Sequence, residues 1–237
     1  MHRPRAFLVV FSIPVLLAVL HADRSTAQIA VGTFDEFQDG TTQGWVAALA
    51  GANPPFPPTA VANAGPTGAG DFALRLTSTG SGLAGSKLVV NNVDLRWKGD
   101  YPAAGVVSIM LDVNNLNAFP LTLRLGFAEP PPLSVGGLWV TSGRVVPATS
   151  GWQTLDFSIA PEDLLPGDEF ASDVDVTLAN VGVIRLLHSV AVMYRGEAIA
   201  AQLDVDNLEA VPEPSLWLGL LAGGLLLRRM GVERRRP

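Results

Sequence analysis

The chain has 237 residues with 16 basic and 22 acidic side chains and no cysteine, which excludes disulfide scaffolds, thiolate metal sites and cysteine nucleophiles. Both ends are basic, so residues 28–214 hold 8 basic against 20 acidic side chains, a net charge of about −12. Nucleic-acid binding depends on clustered Lys and Arg, and the only lysines of this segment are Lys87 and Lys98. The composition therefore excludes a nucleic-acid partner.

The N-terminus has the three parts of a secretory signal peptide. A basic start precedes an apolar run over 6–20, and small residues lead up to a cleavage position after Ala27. A transmembrane helix is the alternative, but Pro14 interrupts the run, and its 15 residues are too few to span a bilayer. The sequence predicts a signal peptide over 1–27, removed by signal peptidase, and a mature chain that begins at Gln28.

The middle of the chain has the period-two pattern of β-strands. Residues 72–77 and 121–127 alternate apolar with small or polar side chains, as half-buried strands do. The other predicted strands lie at 87–90, 106–113, 138–146, 154–159, 180–187, 190–194 and 199–208, with one helical turn at 161–165. Many short strands without long helical periods predict an all-β fold, a β-sandwich domain over 28–210.

Residues 80–85 spell the glycine pattern of dinucleotide-binding loops, Gly-Ser-Gly-Leu-Ala-Gly, with Asp100 further along the chain. That site needs a helix after the glycines to hold the pyrophosphate. Residues 86–90 read instead as a strand, so we interpret 80–85 as a hairpin loop. A nucleotide is therefore not expected as a cofactor.

Few residues offer catalytic chemistry. His188 is the only histidine of the mature chain, and no serine has the glycine spacing of a nucleophile elbow, which argues against a serine hydrolase. The acidic run between Glu162 and Asp175 is typical of a solvated loop. Two carboxylates suffice for a glycosidase, and sequence alone cannot pair them.

Three stretches give the middle domain a resemblance to jelly-roll sandwiches of the galactose-binding-like, carbohydrate-binding-module type: residues 34–45, 151–157 and 203–208. The resemblance implies a structural calcium ion between an acid near the first strand and one in the last strand. By that pattern the candidate calcium ligands are Asp35, Glu36 and Asp206. It also implies sugar binding in surface loops or on the concave face.

Sugar recognition commonly uses an exposed aromatic face beside polar side chains. Trp45 and Trp152 belong to the strand segments and are expected to pack inward. Trp97 and Tyr101 are flanked by charged residues, so we predict that this pair is exposed and contacts sugar.

The C-terminus combines a short motif, an apolar segment and a basic cluster. Pro212-Glu213-Pro214 precedes 13 residues, 215–227, that would span only about 20 Å as a helix. Five arginines follow: Arg228, Arg229, Arg234, Arg235 and Arg236. This tail, 211–237, resembles the PEP-CTERM sorting signal of Gram-negative bacteria. The resemblance implies a transient inner-membrane span, cleavage by an exosortase, and association with extracellular polysaccharide or biofilm.

Three functional hypotheses follow from the sequence. The first is an exported, non-catalytic module that binds extracellular polysaccharide at the cell surface or in the matrix, with calcium as a structural ion. The second is a structural matrix protein without a small ligand. The third is a glycan-active enzyme.

Overall fold

The structure, a computed structural model, describes residues 28–49, 53–131, 136–167 and 172–213. Its strands form two antiparallel sheets, which confirms the predicted β-sandwich of the jelly-roll type. The signal peptide, Pro214, the apolar segment and the arginine cluster lie outside the described residues. Within the described ranges, no helix has the length and apolar character needed to cross a bilayer.

The described strands, in chain order, are β1 (Phe34–Asp35), β2 (Trp45–Val46), β3 (Thr59–Ala62), β4 (Phe72–Thr79), β5 (Val89–Asn92), β6 (Val106–Asn115), β7 (Leu121–Ala128), β8 (Leu138–Thr141), β9 (Arg144–Val146), β10 (Trp152–Ser158), β11 (Leu164–Pro166), β12 (Val183–His188) and β13 (Ala200–Pro212). One short helix, α1, spans Val174–Leu178, and single 3₁₀ turns lie at Leu95–Trp97 and Pro161–Asp163.

The strands divide between two sheets. Sheet A has the order β10-β6-β13-β4-β3, with β1 also paired to β13. Sheet B has the order β11-β8-β7-β12-β5-β2, with β9 also paired to β7. Side chains of alternate residues, such as Leu111 and Val205 in sheet A and Leu125 and Leu186 in sheet B, form the core between the sheets.

Most of the predicted strands are confirmed, with two exceptions of physical interest. The predicted strand 138–146 is interrupted at Ser142 and Gly143, so it forms β8 and β9, which pair with opposite ends of β7. The predicted strand 190–194 is wrong. This stretch has no ladder partner and instead lies across the outer face of sheet B.

We call residues 189–197 the cover segment. The Tyr194 ring packs beside Gly126 of β7, where a Cβ atom would lie 2.8 Å from the tyrosine Cε2 atom. Arg124 holds the start of the segment by donating to the carbonyl oxygens of Ser189 and Val190 at 3.1 and 3.0 Å. A second, smaller apolar cluster therefore seals the part of the outer face nearest β7 and β8.

Candidate functional site

The predicted exposure of Trp97 and Tyr101 is wrong, because both side chains are 0% exposed. The 3₁₀ turn at Leu95–Trp97 directs the indole inward, and the Tyr101 hydroxyl donates to the Trp97 carbonyl at 2.9 Å. The Tyr101 ring meets Phe127 edge-on, with centroids 5.6 Å apart. These two aromatic side chains belong to the core and cannot contact a sugar.

The carboxylate of Asp35, a predicted calcium ligand, is contacted by protein donors. Its Oδ2 accepts from the indole N–H groups of Trp45 and Trp97, both at 2.8 Å. Its Oδ1 lies 2.9 Å from Nη2 of Arg96, an ion pair without hydrogen-bond alignment. Burial raises the pKa of Asp35, while the indole and Arg96 contacts lower it. Since indoles and a guanidinium already contact both oxygens, Asp35 is not available as a calcium ligand.

Asp206 lies on the outer face of sheet A, where a β-bulge follows it in β13. Its Oδ1 accepts from the backbone N–H of Asn207 at 2.8 Å, but Oδ2 is buried without a partner. Burial raises the pKa of Asp206 to about 7, and the charges of Asp71, Asp112 and Glu36 act in the same direction. This carboxylate therefore needs either a proton or a cation.

The neighbouring acids are largely occupied. Asp71 accepts from Gln38 and twice from Thr67, and Asp112 accepts from Thr154 at 2.5 Å and Asn207 at 2.9 Å. Glu36 is exposed. In the part of the chain that the structure describes, no three His, Cys, Asp or Glu side chains form a metal-binding group. The cluster thus offers one buried hard oxygen for a cation, at Asp206, inside a field of negative charge.

The outer face of sheet B carries an open groove of about 490 Å³ beside the cover segment. We call it the outer groove. Its walls are the loop after β2 and the 80–85 loop, and its floor is β5 and β12. Its lining residues are Ala47, Ala48, Leu49, Gly82, Leu83, Ala84, Gly85, Lys87, Val89, Asn91, Arg185 and Arg195. The stretch with the dinucleotide-like spacing is therefore a loop, as predicted, and it forms one wall of the groove.

Arg185 is fixed at the boundary between the groove and the cover segment. Its Nε donates to Asn91 Oδ1 at 2.7 Å, and its Nη1 donates to the Tyr194 carbonyl at 2.8 Å. The guanidinium lies 4.0 Å above the Tyr194 ring, a cation–π contact. Burial lowers the pKa of Arg185, yet an arginine remains charged at neutral pH. The groove therefore has a rigid positive charge in its floor.

Lys87 and Arg195 add positive charge at the rim. Lys87 Nζ donates to the carbonyl of Gly196 at 2.8 Å and to that of Arg195 at 3.3 Å, which ties the cover segment to the end of the 80–85 loop. Phe56, an exposed aromatic side chain, lines a small adjoining cavity that shares Ala47 and Lys87 with the groove. The groove therefore combines aliphatic walls, the amide of Asn91, basic side chains and an aromatic ring in the adjoining cavity.

The sequence interpretation missed the groove residues. Lys87 and Arg185 lie 98 positions apart, and the pairing of β5 with β12, which places Asn91 opposite Arg185, brings them together. The one signal in the sequence was the scarcity of basic residues, eight in 28–214, and the structure places three of them in this groove.

Comparisons with known proteins bear on the fold. No protein-family model matches the chain, and no curated protein matches it significantly. Among solved structures, part of an exo-beta-agarase matches with 12% identity and a TM-score of 0.50, covering 76% of this chain but only 25% of the agarase chain. CtCBM11 matches with 18% identity and a TM-score of 0.48, covering 77% of this chain and 96% of its own.

The CBM22-1 xylan-binding domain from Paenibacillus barcinonensis matches with 15% identity and a TM-score of 0.46, covering 78% of this chain and 98% of its own. At such identities the likeness concerns the fold alone. These carbohydrate-binding modules are structures that the chain is similar to at TM-scores of 0.48 and 0.46, and the two antiparallel sheets themselves show its β-sandwich.

Proposed function

We propose that this protein is an exported, non-catalytic module that binds polysaccharide in the outer groove. The observation that supports this most directly is the groove itself: an open cleft of about 490 Å³ on a rigid sheet, with Asn91 and Arg185 in its floor. Ligand sites are commonly concave and mostly apolar, with a few fixed polar groups. The jelly-roll fold is compatible with this role.

We propose binding rather than hydrolysis because of the groove's composition. A glycosidase needs two carboxyl groups flanking the scissile bond. Among the described residues, the lining of the groove contains no Asp or Glu. Asp206, whose raised pKa would suit a general acid, is 1% exposed and therefore cannot reach a substrate. Reproducible release of products from a polysaccharide panel would favour the glycan-active enzyme instead.

The proposed binding is tested with Ala84→Gln, which adds bulk at an exposed position of the groove wall. Affinity electrophoresis against a panel of polysaccharides is expected to find at least one ligand, and the variant is expected to bind it at least about fivefold more weakly. Ala103→Gln, at an exposed position outside the groove, is the matched control and should bind like the wild type.

Two outcomes would contradict the proposal. If no polysaccharide is retained, the structural matrix protein becomes the better hypothesis. If Ala84→Gln and Ala103→Gln bind equally well, sugar binding occurs elsewhere on the surface.

We further propose the predicted export route, with signal peptidase acting before Gln28 and an exosortase acting near Pro212-Glu213-Pro214. In support, β13 ends at Pro212 and Glu213 is exposed, so a cut beyond the strand would leave the sandwich whole. The intact mass of the cell-associated protein tests this. We expect both ends to be missing, and a mass that still includes 215–227 would contradict the processing.

We propose calcium as a structural ion bound through Asp206. Glu36, the other remaining predicted ligand, is an exposed acid nearby. The buried, unpartnered Oδ2 supports this proposal, since burying an unpaired charge is costly unless a cation or proton compensates it. The ion would supply structural charge compensation, because Asp206 is too buried to contact a sugar.

A further inference from the structure

The charge of the outer groove is opposite to that of the protein around it. Residues 28–214 carry 20 acidic side chains, yet among the described residues that line the groove none is acidic and three are basic: Lys87, Arg185 and Arg195. A groove with one sign of charge and low-dielectric walls concentrates ligands of the other sign. The net negative charge of the rest of residues 28–214 would disfavour polyanion binding outside the groove.

Arg185 retains donors for a ligand. Its Nε and Nη1 are engaged by Asn91 and Tyr194, whereas no bond from Nη2 to a described residue is present, and no carboxylate forms an ion pair with it within the described chain. Lys87 Nζ has three N–H donors and makes two bonds, so one donor remains. Charge-assisted bonds from such groups to a carboxylate are about twice as strong as neutral ones.

The walls supply little stacking surface. Among the described lining residues there is no aromatic side chain, and the apolar contribution comes from aliphatic residues such as Ala47, Leu83 and Val89. Phe56 lies in the adjoining cavity, outside the groove itself. A neutral sugar held by ring stacking would find few partners in this floor, whereas a carboxylated sugar would pair with the cations.

We propose that the groove selects an acidic polysaccharide, one whose repeating sugars carry carboxylates, as in a polyuronate. This inference rests on the proposed function, because it names the ligand class of the same groove. The carboxylate would accept from Arg185 Nη2 and Lys87 Nζ, and the Asn91 amide beside them is placed to bond ring hydroxyls.

The test is isothermal titration of the full chain with oligogalacturonate, with the same oligosaccharide after carboxyl reduction, and with a neutral β-glucan oligosaccharide. We expect the oligogalacturonate to bind at least about tenfold more tightly than either neutral ligand. Raising the NaCl concentration from about 50 to about 500 mM should weaken this binding severalfold, because salt screens the attraction between the carboxylates and the basic side chains.

Three variants locate the charge effect. Arg185→Gln and Lys87→Gln should each weaken oligogalacturonate binding about fivefold or more, a larger factor than their effect on binding of the neutral glucan. Lys98→Gln removes the same charge outside the groove and should bind like the wild type. Lys87→Gln remains informative if Arg185→Gln, which also loses its bonds to Asn91 and the cover segment, fails to fold.

The outcomes separate this inference from the proposed function. Tight, salt-independent binding of the neutral glucan would overturn the acidic ligand class and leave sugar binding intact. Absence of binding to all three saccharides would overturn the acidic ligand class, and it would overturn both proposals only if no polysaccharide of the panel is retained either. Equal binding of polyglutamate and oligogalacturonate would overturn the saccharide assignment in favour of an acidic peptide.

Discussion

Replacing Asp35 by alanine is expected to lower the free energy of unfolding by about 2–6 kcal/mol, because each of two buried donors left without an acceptor costs about 1–3 kcal/mol. The reason is the number of groups that this one carboxylate satisfies. The indole N–H groups of Trp45 and Trp97 are buried and both donate to Oδ2, while Arg96 pairs with Oδ1. Without Asp35, two buried donors lose their acceptor and Arg96 loses its partner.

Urea unfolding of the wild type, Asp35→Ala and Asp156→Ala would measure this effect. Asp156 is an exposed acid in β10, so its removal should change stability by no more than about 0.5 kcal/mol. A loss below about 1 kcal/mol for Asp35→Ala would show that the carboxylate is not the anchor of the two indoles. Fluorescence of Trp45 and Trp97 would follow the same transition.

Asp206 should make the cation-free protein less stable as the pH rises. Its pKa is about 7 in the folded protein, above the ordinary value of 3.8, so the folded state binds this proton more tightly than the unfolded state does. The contribution of this proton to the free energy of unfolding is fully present below the unfolded pKa and is lost as the pH rises through about 7. The total loss is about 2–4 kcal/mol. Asp206→Asn, which cannot ionise, should lose this dependence.

The comparison with Asp206→Asn separates this group from Asp35. Asp35 also has a raised pKa and contributes with the same sign, whereas Asp71 has a lowered pKa and contributes with the opposite sign. The Asp35 contribution cancels when the two proteins are subtracted at each pH, and the difference retains the coupling of Asp206 to the charge of Asp71. Chemical unfolding in EDTA between about pH 5 and pH 8 gives the difference curve.

Calcium should restore the stability that deprotonation removes. At about pH 8, free calcium at about 100 times its Kd should stabilise the wild type by about 2.7 kcal/mol. The effect should be smaller at about pH 5, where a proton competes for the Asp206 carboxylate. Asp206→Asn should respond weakly at both pH values. Stability that is unchanged by calcium at the higher pH, or an equal response in the variant, would contradict the proposed ion and leave the proton as the compensating partner.

The fold could be predicted because alternation along each strand is a local property. β4 and β7 have clear alternation, and both were predicted within two residues of their observed ends. The strand β3, Thr59–Ala62, was missed because it has only four small residues beside a proline-rich loop. The false strand at 190–194 has strand-like residues, but Val190 and Val192 are exposed and only Tyr194 packs on sheet B, so the stretch gains burial from one ring rather than from strand pairing.

The aromatic site was predicted wrongly for a physical reason. Charged neighbours suggested that Trp97 is exposed, but the short 3₁₀ turn turns its indole away from Arg96 and Lys98 and towards the core. The acceptor that makes this burial possible is Asp35, 62 residues earlier in the chain. A local sequence window contains no information about that partner.

The two predicted calcium ligands Asp35 and Asp206 have different surroundings in the structure. Asp35 and Asp206 were chosen because they lie near the first and last strands, and both are buried acids. They differ in their surroundings: indoles and a guanidinium surround Asp35, whereas other carboxylates surround Asp206. The resemblance predicted both as calcium ligands and said nothing of their burial, and their partners depend on segments that pack over different faces.

The most direct test of the account is to map the saccharide on the protein by NMR, titrating the ¹⁵N-labelled full chain with the oligosaccharide that binds best. We predict that the largest shifts occur at the backbone amides of 82–85 and Asn91 and at the Nε–H of Arg185. A second cavity, of about 210 Å³, lies around Arg144 and Ser158 and provides an internal reference. Shifts confined to that cavity, or no saturable shifts at all, would contradict the assignment of the outer groove as a sugar-binding site.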